Sequence, residues 1–296
     1  AFLQCSRLRS ITIPDTTKEF GKNLFCNCSS LTSISIPSCL TTISEAAFSG
    51  CSSLESVVLP SGITSIPKFT FYGCSSLTEF DIPSSVTEIG NDAFNGCTGI
   101  ISIEIPNGVT SIAENTFREC SSLIDVSLPE SVTYIGVAAF CGCSKLSDIQ
   151  IPVTVNEIDR QAFMDCSRLE SIELPEGIPL LPNSLFEGCS SLNSVNIPSS
   201  VTTFQTRVFY GCSSLSEVEL PSTLPFIDDS VFAECTGLTS IDIPETVSRI
   251  DQYAFKGCTG LTSIVIPDSV TTIYLGAFQD CTNLSDVTIY QNKSLK

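Results

Sequence analysis

The stretch IPSSVTEIGNDAFNGCTGIISIEIP, residues 82–106, is repeated along the whole chain with small changes. One copy contains two short apolar segments and a turn, which is too little to bury its own apolar side chains. Neighbouring copies must therefore stack against one another and share a core. The sequence thus predicts a repeat architecture before it predicts any function.

A cysteine recurs every 23 residues, and no copy contains an insertion. A phenylalanine stands three residues before each of these cysteines, and a leucine, or in one copy Ile100, stands three residues after it. We call these cysteines the ladder cysteines. They are Cys5, Cys28, Cys51, Cys74, Cys97, Cys120, Cys143, Cys166, Cys189, Cys212, Cys235, Cys258 and Cys281.

Each copy continues with alternating apolar residues, such as Ile103 and Ile105, which is the pattern of a strand with one buried face. In twelve of the thirteen copies a proline such as Pro106 follows, and proline belongs at a strand end because it cannot donate to a sheet ladder. A Val-Thr-x-Ile segment, such as residues 86–89, comes next and predicts a second extended segment. We expect a single helical turn at residues 91–94.

Stacking all copies in register predicts thirteen coils, with equivalent residues about 4.8 Å apart along a parallel sheet. The phenylalanines would then form one continuous column of rings in the core. Because the chain begins at Ala1, inside a repeat, and shows no obvious polar cap, we expect a mature or excised fragment.

Composition excludes several classes of function. The 296 residues include 32 acids and 14 bases, a formal net charge of −18, which repels nucleic acid and anionic membrane surfaces. The chain has no histidine, so it cannot assemble a Ser-His-Asp triad, a Cys-His pair or a histidine-ligated metal site. No apolar run reaches the roughly 18 residues of a membrane span. We predict no enzyme activity, no nucleic-acid partner and no membrane insertion; the oligomeric state is not predicted.

The pattern Ile-Pro-x-x-Val-Thr-x-Ile-x-x-x-Ala-Phe-x-Gly-Cys-x-x-Leu-x-x-Ile-x-Ile-Pro resembles the 23-residue leucine-rich repeats of BspA-like proteins, a family of bacterial and protist surface proteins. The resemblance implies one leucine-rich-repeat domain over residues 1–296, an α/β or mostly β horseshoe with a parallel sheet on its concave face. It also implies adhesion or ligand binding at the cell surface or after secretion, with host or matrix proteins as partners. Pro179, Pro182 and Pro225 depart from the Val-Thr-x-Ile pattern, so we expect local interruptions of the second ladder there.

Sixteen cysteines could suggest disulfides, and stacked neighbours fall within the Cα separation that a disulfide tolerates. A column of thirteen cannot pair completely, however, and Cys26, Cys39 and Cys141 lie outside it. We therefore predict a buried ladder of reduced thiols that act as small apolar residues. A metal site needs four well-directed ligands, which adjacent Cys-x-Cys positions do not supply, so we predict no metal and no cofactor.

Acidic residues are concentrated at strand positions that should point to the open concave side, five and seven residues after each ladder cysteine. Neither position contains Lys or Arg in any copy, and the position after the strand-ending proline adds five more acids without a base. The candidate ligand-binding residues are Glu79, Asp81, Glu104, Asp125, Asp148, Glu173, Glu217, Glu219, Asp242 and Asp286.

Three interpretations of these acids stay open. They confer solubility on an exposed sheet, they bind a protein partner through its basic patch, or stacked pairs such as Asp81 and Glu104 bind calcium weakly. We predict a non-catalytic protein-binding or adhesion module that uses its acidic concave face. The alternative is an intracellular, cytoplasmic scaffold or structural repeat protein, which reduced thiols would favour.

Overall fold

The structure is a computed structural model that describes residues 1–290 and contains strands and turns, with no helix in that range. Its strands are two to four residues long because each coil contributes one short segment to each ladder. They are β1 (Ser33–Ser35), β2 (Ser56–Val58), β3 (Ser65–Ile66), β4 (Glu88–Ile89), β5 (Ser102–Glu104), β6 (Ser111–Ile112), β7 (Asp125–Ser127), β8 (Tyr134–Ile135), β9 (Glu157–Ile158), β10 (Ser171–Glu173), β11 (Leu180–Leu181), β12 (Ser194–Asn196), β13 (Thr203–Phe204), β14 (Phe226–Ile227), β15 (Arg249–Ile250), β16 (Ser263–Ile266), β17 (Thr272–Ile273) and β18 (Asp286–Ile289).

The chain divides into two compact units, Ala1–Thr154 and Val155–Lys296, and each is described by itself. In the first unit, β1 pairs with β2 and β5 with β7 in one parallel ladder, while β3 pairs with β4 and β6 with β8 in a second. In the second unit, the first ladder pairs β10 with β12 and β16 with β18. Its second ladder pairs β11 with β13, and β15 with both β14 and β17.

The register of every pair is 23 residues, as the repeat predicts: Ile103 lies opposite Val126 in the first unit, and Ile172 opposite Val195 in the second. In β5, Ile103 is 4% exposed while Ser102 and Glu104 on either side are exposed. This alternation confirms the predicted strand with one buried face.

The prediction of a helical turn at residues 91–94 is wrong. The N–H groups of Asp92, Phe94 and Gly96 donate to carbonyls 22 residues ahead, in the next coil, at 2.8 to 3.0 Å. Asp92 and Gly96 have positive φ angles of 57° and 74° and thereby turn these N–H groups toward that coil. The turn is a third ladder between coils, because its donors find partners there rather than four residues back in the chain.

The core of each unit is a column of phenylalanine rings beside the ladder cysteines. In the first unit, the rings of Phe71, Phe94 and Phe117 stack with centroids 5.4 and 5.5 Å apart and planes within 14°. In the second unit, Phe209 and Phe232 stack at 5.5 Å. All five rings are fully buried, which confirms the predicted aromatic column.

The fold is a parallel-strand solenoid of about 11 turns, slightly fewer than the thirteen coils predicted. The first copy contributes only an isolated bridge, between Thr12 and Ser35, rather than a strand. Of the two predicted variants, the mostly β form is confirmed and the α/β form is wrong for the described residues.

The predicted interruptions of the second ladder occur in the second unit, where β9 does not pair with β11 and β13 does not pair with β14. Where the second ladder is intact, between β11 and β13, the N–H of Gln205 donates to the Leu181 carbonyl of the preceding coil at 2.9 Å. Pro182 occupies the position of Gln205 in its own copy and has no N–H to donate. Pro225 breaks the ladder for the same reason.

Candidate functional site

The coils of the first ladder position the acidic side chains, and four of the ten candidates lie within its strands: Glu104 in β5, Asp125 in β7, Glu173 in β10 and Asp286 in β18. Positions five and seven after each ladder cysteine lie on either side of a buried residue, so both side chains point away from the core. All ten candidate acids are exposed, and none forms an ion pair within residues 1–290. Their charge is therefore not compensated by bases of the same unit.

The structure gathers four of the candidates in the first unit. An open depression of about 750 Å³ lies beside β5, on the face of the first ladder that points away from the core. We call it the first depression; its acidic lining consists of Glu79, Asp81, Glu104 and Asp125. The predicted residues thus come together from three consecutive coils.

Three other candidates are gathered in the second unit. A depression of about 610 Å³, the second depression, lies beside β12 and has Glu217, Glu219 and Asp242 in its lining. The remaining candidates lie outside both depressions. Asp148 accepts a hydrogen bond from Gln150 at 3.2 Å, Glu173 lies opposite Asn196, and Asp286 lies opposite Ser263.

Strand pairing in the first ladder is interrupted at one of the two steps of the first depression, between residues 79–81 and 102–104, and at both steps of the second. At positions five and seven after the ladder cysteines, acids stand opposite each other in consecutive copies three times, at Asp81 and Glu104, Asp125 and Asp148, and Glu219 and Asp242. In none of these three places does a strand pair form within the described chain. Like charges directly opposite on neighbouring strands are destabilising and disfavour pairing at these three places. Pairing is also absent where a single acid faces a neutral residue, as between Asn196 and Glu219, so like charge is not the only cause.

Two apolar residues at or beside the first depression were not among the predicted site residues. Ile101 and Ile124 are 51% and 48% exposed, and Ile101 is part of the lining. Both stand four residues after a ladder cysteine, where all eleven other copies have a polar residue. That departure from a polar column was the available signal.

The cysteines form no disulfide in the structure. Ladder thiols such as Cys97 and Cys120 are fully buried, whereas Cys5 and Cys39 are exposed. Burial raises the pKa of Cys97 well above its ordinary value and raises the pKa of Cys120 to about 12. Such thiols stay protonated at neutral pH and are poor nucleophiles and poor metal ligands.

The arrangement of the acidic side chains does not resemble a metal site. Residues 1–290 contain no group of three or more Cys, Asp or Glu side chains arranged to hold a metal ion. The same residues contain no helix long and apolar enough to cross a bilayer.

Stacked parallel ladders with a 23-residue register define the chain as a leucine-rich-repeat solenoid. The sequence profile of the BspA type leucine-rich repeat region matches residues 1–101, 87–216 and 205–295. The chain belongs to this BspA-type leucine-rich-repeat family. Proteins of this kind are generally non-catalytic and bind other proteins.

Solved structures agree with this assignment. A leucine-rich cell surface protein from Faecalibacterium prausnitzii is 33% identical, with a TM-score of 0.68 over 98% of this chain and 90% of that one. A leucine-rich repeat protein from Bacteroides ovatus is also 33% identical, with a TM-score of 0.71 over 94% and 86%. One from Eubacterium ventriosum, 23% identical with a TM-score of 0.67 over 97% and 84%, shares the fold. No curated protein sequence gives a significant match.

Proposed function

We propose that the chain is a non-catalytic adhesion or recognition module that binds a protein partner through the partner's basic patch. The observation that carries the proposal is the grouping of exposed, uncompensated carboxylates in the first and second depressions. Opposite charges steer the approach of a partner and fix its register on the surface. The acids serve as the recognition surface, and the buried columns only hold them in place.

The form of the two depressions suits a protein surface better than a small molecule. Both are open to solvent and are lined by exposed residues of the first ladder's coils such as Glu104 and Asp242. Small-molecule sites are enclosed and mostly apolar. A flat array of side chains about 4.8 Å apart from coil to coil instead matches the spacing of side chains on another protein.

We place this activity at the cell surface, with host or matrix proteins as partners. Support comes from the printed description of the Faecalibacterium prausnitzii relative as a cell surface protein. The second candidate is an intracellular scaffold, and the observation in its favour is the absence of disulfides among residues 1–290. Secreted proteins commonly use disulfides, whereas intracellular thiols stay reduced. Labelling intact cells with an antibody to the chain separates the two candidates.

The test is reversal of Asp81, Glu104 and Asp125 to lysine. The measurement is surface plasmon resonance against a panel of purified matrix proteins, with the salt concentration varied. We expect binding of the basic members to weaken by about tenfold or more, and the salt dependence of the wild type to be lost. Unchanged binding and salt dependence would show that the partner does not use the first depression.

The matched control reverses three exposed acids of the same unit that lie outside both depressions, Glu19, Glu88 and Glu114. It changes the net charge of the chain by the same amount. We expect binding within about twofold of the wild type, apart from the weak long-range effect of net charge. Equal losses in both variants would mean that total charge, and not this site, attracts the partner.

A further inference from the structure

The first and second depressions differ at the position four residues after each ladder cysteine. Ile101 and Ile124 stand in consecutive coils beside the first depression, and the Ile124 N–H donates to the Ile101 carbonyl at 2.8 Å. The equivalent residues around the second depression are polar: Asn193, Ser216 and Thr239. The repeat therefore places an apolar pair next to one acidic depression and not next to the other.

Folding does not explain the exposure of these two side chains. The core of these coils is already filled by fully buried side chains such as Leu123 and Phe117. Single exposed apolar residues are ordinary on protein surfaces. Ile101 and Ile124 stand in consecutive coils, so they place two exposed aliphatic side chains side by side at the edge of the depression.

We propose that the first depression binds a peptide segment of a partner protein in which an aliphatic side chain stands close to lysine or arginine. The proposal rests on the proposed function and specifies its partner. The aliphatic group packs against Ile101 and Ile124, and the basic groups reach Glu104 and Asp125. Charge complementarity selects the basic residues, and the isoleucine pair selects the apolar one.

The spacing of the site sets the spacing of the ligand. Glu104 follows Ile101 by three residues, about 10 Å along an extended chain. The apolar pair spans one coil, about 4.8 Å. An extended segment with a leucine or isoleucine two to four residues from a lysine or arginine matches these distances, because the long basic side chain can cover the remaining gap.

The experiment uses two synthetic peptides of equal length and equal lysine content, one with two leucines and one with serines in their place. Their affinities for the whole chain are measured by fluorescence anisotropy. We expect the wild type to bind the leucine peptide about tenfold more tightly. The variant with Ile101→Ser and Ile124→Ser should lose this preference and bind the serine peptide as the wild type does.

Val153→Ser is the matched control, because Val153 is an aliphatic residue of the same unit that is 80% exposed and lies outside the first depression. It should keep the preference. A wild type without preference, or a preference that survives in the double isoleucine variant, would overturn the inference. The pair Ile101→Ala and Ile124→Ala repeats the test without adding hydroxyl groups, and thermal unfolding checks that each variant folds.

The outcomes separate this inference from the proposed function. If both peptides bind equally and reversal of Asp81, Glu104 and Asp125 abolishes binding, the proposed acidic site is supported and the proposed apolar specificity is rejected. If neither peptide binds, this inference is overturned, and the panel of matrix proteins alone decides the proposed function. If only the leucine peptide binds, and charge reversal has no effect, the apolar pair acts without the acids and the proposed function falls.

Discussion

The thiol of Cys97 donates a hydrogen bond to the carbonyl oxygen of Phe71, 26 residues earlier, at a sulfur–oxygen distance of 3.1 Å. The same carbonyl accepts the N–H of Cys74 from its own coil at 3.1 Å. Cys235 and Phe209 repeat the relationship in the second unit at 3.0 Å. A ladder cysteine therefore does more than fill space, because its thiol uses the second lone pair of a buried carbonyl.

Replacing Cys97 with alanine tests this role. The change removes the thiol donor and leaves a small cavity, so we expect the free energy of unfolding in urea to fall by about 1 to 2 kcal/mol. Cys5→Ala is the control, since Cys5 is exposed and should lose less than about 0.5 kcal/mol. Equal, small effects at both sites would contradict a structural role for the ladder thiol.

The second prediction concerns thiol reactivity. At pH 8 the folded protein should react quickly with Ellman's reagent at the exposed Cys5 and Cys39, and not at Cys97 or Cys120, which are buried and have raised pKa values. In denaturant all sixteen cysteines of the chain should react. If none reacted in denaturant, the reduced ladder would be wrong and the cysteines would be oxidised.

The third prediction is a loss of stability at alkaline pH. Burial raises the pKa of Cys51 and of Cys120 from about 9 to about 12, so between these pH values the folded chain keeps protons that the unfolded chain releases. The contribution of each thiol is complete below pH 9 and falls by about 1.4 kcal/mol for each pH unit above it. Urea unfolding at pH 8 and at pH 10 measures the change. In the Cys120→Ala variant, the free energy of unfolding should fall less steeply with pH above 9, by the equivalent of one proton.

The fourth prediction concerns the aromatic column. Phe140 is fully buried, and its ring stacks on that of Phe117 at 5.5 Å with planes 12° apart. Phe140→Ala should lower the free energy of unfolding by about 3 to 5 kcal/mol, because the rigid neighbouring coils cannot close the cavity. Val153→Ala, at an exposed site, should change it little. A loss below about 1 kcal/mol at Phe140 would mean that this column is not core.

The fifth prediction concerns turn residues whose φ angles are positive, which is the left-handed region of backbone conformation. Gly96 and Glu119 are equivalent residues of consecutive copies, with φ angles of 74° and 58°. Gly96→Ala should cost about 1 to 2 kcal/mol, since a side chain with positive φ is strained. Glu119→Gly should relieve such strain and raise the thermal midpoint. Changes of the opposite sign would show that side-chain contacts at these turns outweigh the backbone preference.

Much of the fold could be read from the sequence because its causes are local or strictly periodic. The alternation at Ile103 and Ile105 identifies a strand with one buried face, and the 23-residue spacing of the ladder cysteines fixes the register of every strand pair. The interruptions at Pro182 and Pro225 were predictable as well, since a missing N–H is a property of the residue itself. The prediction of one domain over residues 1–296 stays a prediction; limited proteolysis that yields no stable fragment ending near Thr154 would support it.

The candidate site was predictable only in part. The sequence identified the acidic columns, but it could not show that Glu79, Asp81, Glu104 and Asp125 line one depression while Asp148 lies outside it. It also did not single out Ile101 and Ile124, although both stand at a position that is polar in the other eleven copies.

By itself, the sequence determined the period, the residues of the core and the face that carries the acids, because covalent spacing and the strand repeat of two residues fix them. Only the tertiary structure decided the path of the turns, the carbonyl acceptors of the ladder thiols and the places where strand pairing is lost. Each of these depends on hydrogen bonds or charges 22 to 26 residues apart in the chain. Such partners meet only when neighbouring coils stack, about 4.8 Å from one another.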